Sequence, residues 1–351
     1  MQKTVKIGKD TIGRHGACYI IAEISANHSQ NYNKAKRLIR VASESGANAV
    51  KLQTFTPDTL TLDCNNRFFK ISKGPWKGQT LHSLYKKAYM PWDWQPKLKS
   101  YAESLGITFF STVYDTTSVD FLNQLDVAAY KIASFEMLDI PLLKYVAKFN
   151  KPIILSTGMA NLKDIKRAVD TIVDAGNRQI ILLKCTSAYP APPEDINLKG
   201  ILSLRDNFPV PIGLSDHSLT PTICIAASAM GATVIEKHIT WKRSEGGLDS
   251  HFSLEPKELK CLVDGVRLVE KALGKSDMGV SKSEKEMLAF RRSLFIAKDI
   301  KKGEEFTHKN IRSIRPNNGL PTENFEKIIG CQATVDLKSG TPLSWNHIKK
   351  C

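Results

Sequence analysis

A chain of 351 residues, 42% hydrophobic and 24% charged, is too apolar for disorder and too long for one ordinary domain; it suits a barrel of about 250 residues with a small appendage. Lys and Arg outnumber Asp and Glu by 50 to 35, a net charge of +15, but the basic residues are scattered over helical faces rather than gathered in a stripe with aromatics. That argues against a nucleic-acid partner and leaves a small anionic substrate as the functional use of the charge.

The first residues, MQKTVKIGKD, lack an apolar signal core, and the longest weakly polar run, ICIAASAMGATVI, is too short to span a bilayer. A cytoplasmic protein without a membrane partner is expected. Seven cysteines with no C-x-x-C pair argue against a disulfide framework and a structural zinc site, and predict free thiols.

Eight β-rich runs then follow in order: CYIIAEIS (18–25), AVKLQTF (49–55), TFFSTV (108–113), AAYKIAS (128–134), PIILSTG (152–158), QIILLKCTS (179–187), PVPIGLSDH (209–217) and TVIEKHIT (233–240). Amphipathic patterns such as NKAKRLIRVASESGA, QPKLKSYAESLG and LKDIKRAVDTIVDAG lie between them. Strands apolar on both faces that alternate with helices predict an α/β fold, a parallel (β/α)8 TIM barrel. A doubly wound sheet would carry a G-x-G-x-x-G turn after its first strand, and none occurs.

The gap between the second and third runs is about twice the usual length and contains FFKISKGPWKGQTLHSLYKKAYMPWDW, which predicts an insertion over the barrel mouth. It brings Trp76, Tyr85, Tyr89, Trp92 and Trp94 near that mouth. After the last helical pattern, EPKELKCLVDGVRLVEKALG, a polar stretch leads into a tail with short strands and Gly turns. The expected division is a barrel over 1–280, a linker over 281–290 and a small β-rich domain over 291–351.

The run TVIEKHITW (233–241) holds a conflict: a buried strand that ends in Glu236, Lys237 and His238. In a (β/α)8 barrel the active site lies at the C-terminal ends of the strands, which resolves it. Alternation places Glu23 with Ser25, Lys51 with Gln53, Ser215 with His217, and Glu236 with His238 on shared faces, while Ile24, Leu52, Leu214 and Ile235 take the other. Thr112, Lys131, Ser187 and Tyr189 end their own strands similarly.

His217 and His238 end adjacent strands about 5 Å apart, within reach of one divalent ion. Two nitrogens leave positions open for water and substrate oxygens on an octahedral ion such as Mn2+. Lys51 and Lys131 with Thr112, Ser134, Ser187 and Ser215 form a cradle for phosphate or carboxylate. Glu23, Gln53, Tyr189 and Asp249 supply groups that recognise sugar hydroxyls, and Glu136 is a candidate acid or base. Because Lys51 and Lys131 both point inward, a Schiff-base aldolase is the rival enzyme reading.

The motifs IAEISANHS, VKLQTF, YKIAS, CTSAYPAP, GLSDHS and IEKHIT resemble the sialic acid synthases, and RPNNGL with its surroundings resembles their antifreeze-like C-terminal domain (β-clip, SAF). This resemblance implies condensation of phosphoenolpyruvate with an open-chain aminosugar, yielding a nine-carbon 2-keto acid and phosphate. It implies a divalent metal, Mn2+ with Mg2+ or Co2+ as alternatives, on His217 and His238. Phosphoenolpyruvate would lie on Lys51, Thr112, Lys131, Ser134, Ser187 and Ser215; the sugar would lie on Glu23, Gln53, Tyr189 and Asp249. It further implies a domain-swapped homodimer in which Arg315 reaches the partner's sugar site.

Within the family, the insertion and CTSAYPAP resemble the branch that takes 2,4-diacetamido-2,4,6-trideoxy-L-altrose. The neuraminate and legionaminate branches are the alternatives, and a non-catalytic carbohydrate or ice-binding module is the reading of another class.

Overall fold

The computed structural model describes residues 1–13, 16–74 and 76–349. The chain divides into two compact units, Met1–Gly274 and Lys275–Cys351, so residues 281–290, expected as a linker, belong to the second unit.

The first unit begins with an antiparallel hairpin, β1 (Thr4–Ile7) and β2 (Asp10–Gly13), which the sequence reading did not anticipate. Two four-residue strands give too short an alternation to stand out. Eight strands then form a closed parallel barrel: β3 (Tyr19–Glu23), β4 (Ala49–Thr54), β5 (Thr108–Val113), β6 (Tyr130–Ile132), β7 (Ile153–Ser156), β8 (Ile180–Cys185), β9 (Ile212–Asp216) and β10 (Val234–His238), the last pairing back onto the first. Each coincides with a predicted run, in the predicted order.

The helices are α1 (Tyr32–Glu44), α2 (Pro57–Leu60), α3 (Leu81–Ala88), α4 (Gln95–Ser104), α5 (Thr116–Gln124), α6 (Ile140–Ala147), α7 (Leu162–Asp174), α8 (Pro193–Ile196), α9 (Gly200–Asn207), α10 (Pro221–Ala229) and α11 (Pro256–Leu273). The physical reason for the architecture is visible in single elements. Every residue of β3, YIIAE, is buried, as a strand with core inside and helices outside must be. Helix α7 buries Ile165, Ala168, Val169 and Ile172, a 3.6-residue stripe turned to the barrel. Asn161 caps it by accepting from the N–H groups of Lys163 and Asp164, so the chain turns into the helix at a defined point beyond β7.

Lys237 has its own explanation. It lies opposite Asp216 in the β9–β10 register, on the outer face of the barrel, and the two side chains pair at 2.5 Å with essentially no exposure. Lys237 also donates to the Ser218 carbonyl, and Asp216 accepts from the Ser218 N–H and hydroxyl. A buried charge needs such partners. The network ties down the Asp216–Ser218 turn, and with it the position of His217.

The insertion between β4 and β5 contains α2, a bridge between Lys70 and Thr80, and α3. Its base is anchored by the Gln30 side-chain amide to the Lys86 carbonyl at 2.8 Å and by the Trp92 indole to the Phe55 carbonyl at 3.0 Å.

The second unit holds the antiparallel pair β11 (Ser293–Ile296) and β12 (Ile311–Ile314) and the short α12 (Phe325–Ile328) around a core that includes Leu294, Ile296, Phe306, Ile311 and Leu343. Besides this pair, isolated bridges such as Ile300 with Leu337 and Ala333 with Ile348 tie its loops together. Cys18, Cys64, Cys185, Cys224 and Cys261 are free thiols, but Cys331 is disulfide-bonded. The expectation of seven free thiols is therefore corrected: the absence of C-x-x-C spacing excludes a close-spaced pair, not a disulfide.

Candidate active site

A cavity of about 610 Å³ opens at the C-terminal ends of the barrel strands. Lys51, Gln53, Thr112, Lys131, Ser134, Glu136, Tyr189, Ser215, His217, His238 and Asp249, all expected at the site, line it together.

The lysines sit in an alternating charge network. Lys51 lies 2.8 Å from Glu23 and 3.7 Å from Glu236, and Lys131 lies 3.8 Å from the same Glu236 oxygen. Lys51 also donates to the Thr112 hydroxyl at 2.8 Å, and Ser215 donates to Glu236 at 3.1 Å. Burial opposes the charge on Lys51, but Glu23 and Glu236 more than compensate and hold it above its ordinary value. Lys131 is pulled below its ordinary value by burial, with Glu236 opposing. The floor thus carries buried cations with directional hydroxyls, an arrangement suited to a small anion.

Two departures concern the cradle and the sugar set. Glu23 was expected to meet a sugar, yet it does not line the cavity: it is fully buried and directed at Lys51. Alternation gives the face of a strand residue but not its depth, and Ser25, two residues on, occupies the wall instead. Ser187 lies beyond the end of β8 on a neighbouring cavity of about 810 Å³ that shares Cys185 with the first. A side chain on Gly158 would meet its hydroxyl at 2.3 Å and that of Ser134 at 2.7 Å, so Ser187 and Ser134 converge there and glycine is required between them.

Gln53 donates to the Ser25 hydroxyl at 3.1 Å, and Ser25 donates in turn to Asp249. Burial pushes the Asp249 carboxyl up. Burial likewise raises Glu136 to about 7, against the opposing pull of Lys131, and its Oε2 is buried without a hydrogen-bond partner. A carboxyl poised near neutral pH in a cleft has the character of a general acid or base.

His217 and His238 face one another with ring centroids 5.2 Å apart. The Thr186 carbonyl accepts from Nδ1 of His217 at 2.9 Å; burial opposes the charge on this ring, but its hydrogen bond to Cys185 and the charge there hold it above its ordinary value. Burial, reinforced by the charge of His217, holds His238 well below its ordinary value, and its Nδ1 has no partner. Tyr189 packs on His217 at 4.5 Å, and Phe252 on His238 at 4.9 Å.

Of the insertion aromatics, Trp76 and Tyr85 line the cavity. Trp92 packs on Phe121 at 4.9 Å and Trp94 on Tyr32 at 5.8 Å, fixing the base of the insertion, and Tyr89 accepts from Gln30 through its carbonyl. Arg315 is exposed in the second unit, just past β12.

Several cavity residues escaped the sequence reading. Glu236 was placed on the inner face but given no role. Ser156 ends β7 with a buried hydroxyl that has no partner, and alternation from Ile154 could have found it. Cys185 is raised by burial, but its hydrogen bond to and the charge of His217 more than offset this and bring the thiol down to about 7.

A closed parallel barrel whose rim gathers two buried lysines, a ring of hydroxyls and two facing histidines defines a (β/α)8-barrel enzyme built for an anionic substrate. The NeuB family model matches residues 38–278 and the SAF domain model residues 291–349; the chain belongs to the NeuB family and carries a SAF domain.

The pseudaminic acid synthase of Campylobacter jejuni subsp. jejuni serotype O:2 is 41% identical over 325 residues, 93% of this chain and 95% of its own. The N,N'-diacetyllegionaminic acid synthase of the same organism is 41% identical over 328 residues, 91% of this chain and 96% of its own. The structure of spore coat polysaccharide biosynthesis protein SpsE from Bacillus subtilis superposes with a TM-score of 0.67 at 37% identity, covering 99% of each chain.

Proposed function

We propose that this chain condenses phosphoenolpyruvate with 2,4-diacetamido-2,4,6-trideoxy-L-altrose to give pseudaminic acid and inorganic phosphate by C–O cleavage. The observation that carries the reading is the alternating network of Lys51, Glu236 and Lys131 beneath a ring of hydroxyls on the rim of a NeuB-family barrel.

Lys51 and Lys131 hold the phosphate, and Thr112, Ser134 and Ser215 orient its oxygens and the carboxylate, with Ser156 adding a hydroxyl that has no other use. Ser187 reaches the same anion from beside Ser134. Gln53, Tyr189 and Asp249 orient the sugar, while Glu23 acts through Lys51 by holding its charge and position.

C3 of the enol then forms a bond to the sugar's aldehyde carbon as the carbonyl π bond breaks; water adds at the C2 cation with Glu136 taking its proton, a proton passes to the new alkoxide oxygen, and the C2 hydroxyl gives up its proton as the ketone forms. The tetrahedral intermediate expels phosphate, whose developing charge the two lysines stabilise.

His217 and His238 fit a divalent cation. His217, with Nδ1 on the Thr186 carbonyl, would offer Nε2 in place of its contact with Cys185, His238 is kept neutral by burial and has an orphaned Nδ1, and no third His, Cys, Asp or Glu joins them in a ligand group among the described residues. The remaining positions would go to water and substrate oxygens, as on an octahedral ion such as Mn2+. When bound, the ion would polarise the aldehyde as a Lewis acid. Arg315, exposed on the second unit, is assigned to the partner's sugar site in a homodimer. No helix of the described residues is long and apolar enough to cross a membrane.

The test is the fate of the bridging oxygen. With phosphoenolpyruvate labelled there by 18O, the label should leave entirely in phosphate, and turnover should stop on chelation and return with Mn2+. Label retained in the keto acid would mean P–O cleavage and overturn the C–O step, whereas a borohydride-trapped adduct on Lys51 or Lys131 with chelation harmless would replace this scheme with the aldolase one.

A further inference from the structure

The cavity has two chemistries. Its floor, made by the strand ends, is charged and hydroxylated; its roof, made by the insertion, is largely aliphatic and aromatic. Leu60 ends α2, Ile71 sits on the bridged segment, and Leu81 and Leu84 share one face of α3, and all four line the cavity.

This roof is set by backbone hydrogen bonds. The Ile71 N–H donates to the Gln79 carbonyl at 2.9 Å, Gly78 donates back to Ile71 at 2.9 Å, and Leu81 donates to Phe69 at 2.8 Å. Rings continue it on two sides. Tyr85 stacks edge-on against Phe55 at 5.9 Å, and Phe55 against Tyr114 at 5.2 Å; across the mouth Trp76 meets His251 at 6.4 Å. Among the described insertion residues that line the cavity, Lys73 is the charged one, and it is exposed.

We infer that Ile71 and Leu81 determine substrate specificity by receiving the deoxygenated end of the sugar. The inference rests on the function proposed above: an aldehyde carbon held against phosphoenolpyruvate on the floor directs the far end of the sugar chain toward the roof. A methyl group there exchanges water for apolar contact. A hydroxyl in the same place loses its water and finds neither donor nor acceptor on Ile71 or Leu81. The aliphatic side chains, rather than the insertion's tryptophans, therefore read the substituent at C6.

The experiment compares kcat/KM for the 6-deoxy diacetamido sugar and its 6-hydroxy counterpart in the wild type, Ile71→Asn, Leu81→Gln and the conservative Ile71→Val. The wild type and Ile71→Val should favour the 6-deoxy sugar, and each polar variant should lower that preference by about tenfold or more while leaving KM for phosphoenolpyruvate and the melting temperature unchanged. The two polar variants lie on separate elements, so loss of fold in one leaves the other to decide. A wild type that favours the 6-deoxy sugar, with polar variants that keep the full preference, overturns the role of the roof alone. A wild type that favours the 6-hydroxy sugar overturns the proposed substrate, and this inference with it.

Discussion

Lys51 is the residue on which most of the site's charge depends. It neutralises Glu23, which burial has already pushed up to about 7, and it approaches Glu236, the carboxylate that Lys131 shares. In Lys51→Ala, Glu23 takes up a proton rather than remain a bare buried charge. Lys51→Ala and Lys131→Ala should therefore fold but raise KM for phosphoenolpyruvate by about tenfold or more, since each loses a charge-assisted contact, with a much smaller change in KM for the sugar. Steady-state kinetics with each substrate varied in turn would show this, and equal effects on both constants would contradict the cradle.

Glu136 carries the pH dependence. With its carboxyl raised to about 7 by burial, a base at this position is protonated as the pH falls below 7, so kcat should decline on the acid side with a midpoint near 7. Glu136→Gln should lower kcat by about 10² to 10⁴ and abolish that limb of the profile. A variant that retained the acid limb would assign it to another group. Much of this scale was legible in the sequence. Period-2 alternation placed Gln53, Ser215 and His238 on the inner face, where they line the cavity. It did not reveal that Glu23 is fully buried against Lys51 rather than part of the wall, because the face a residue takes does not say which neighbour covers its side chain.

Among the elements, β9 illustrates close approach of backbone. A side chain at Gly213 would come within 2.3 Å of the Val234 carbonyl on β10 and 2.7 Å of the Leu183 side chain on β8. Gly213→Ala should cost about 1 to 3 kcal/mol or more as overpacking, measured by denaturant titration, and should disturb His217 at the end of the same strand; unchanged stability would mean the barrel yields there more easily than its packing implies. The strands were readable because each is apolar on both faces and followed by an amphipathic helix. The initial hairpin, with four-residue strands, offered no comparable period. The insertion was visible as an overlong gap rich in aromatics, but Trp92 and Trp94 fix its base, and the aliphatic residues that line the roof carried no signal against the aromatic background.

At the scale of the whole molecule, the chain combines a catalytic barrel with a separate SAF domain. The division itself was legible from the polar stretch after α11, although the compact units part at Gly274, before the expected linker. The sugar branch was legible in the insertion and CTSAYPAP, but overall identity does not rank it, because a pseudaminic acid synthase and an N,N'-diacetyllegionaminic acid synthase stand at the same 41%. Polar groups left unpaired in a site can separate substrates by about 10⁴ or more.

The most direct measurement is phosphate release from phosphoenolpyruvate with a panel of aminosugars. The altro-configured trideoxy sugar should be turned over and N-acetylmannosamine should be essentially inert. Efficient condensation of N-acetylmannosamine, or preference for the manno-configured trideoxy sugar, would contradict the account and assign the chain to the neuraminate or legionaminate branch instead.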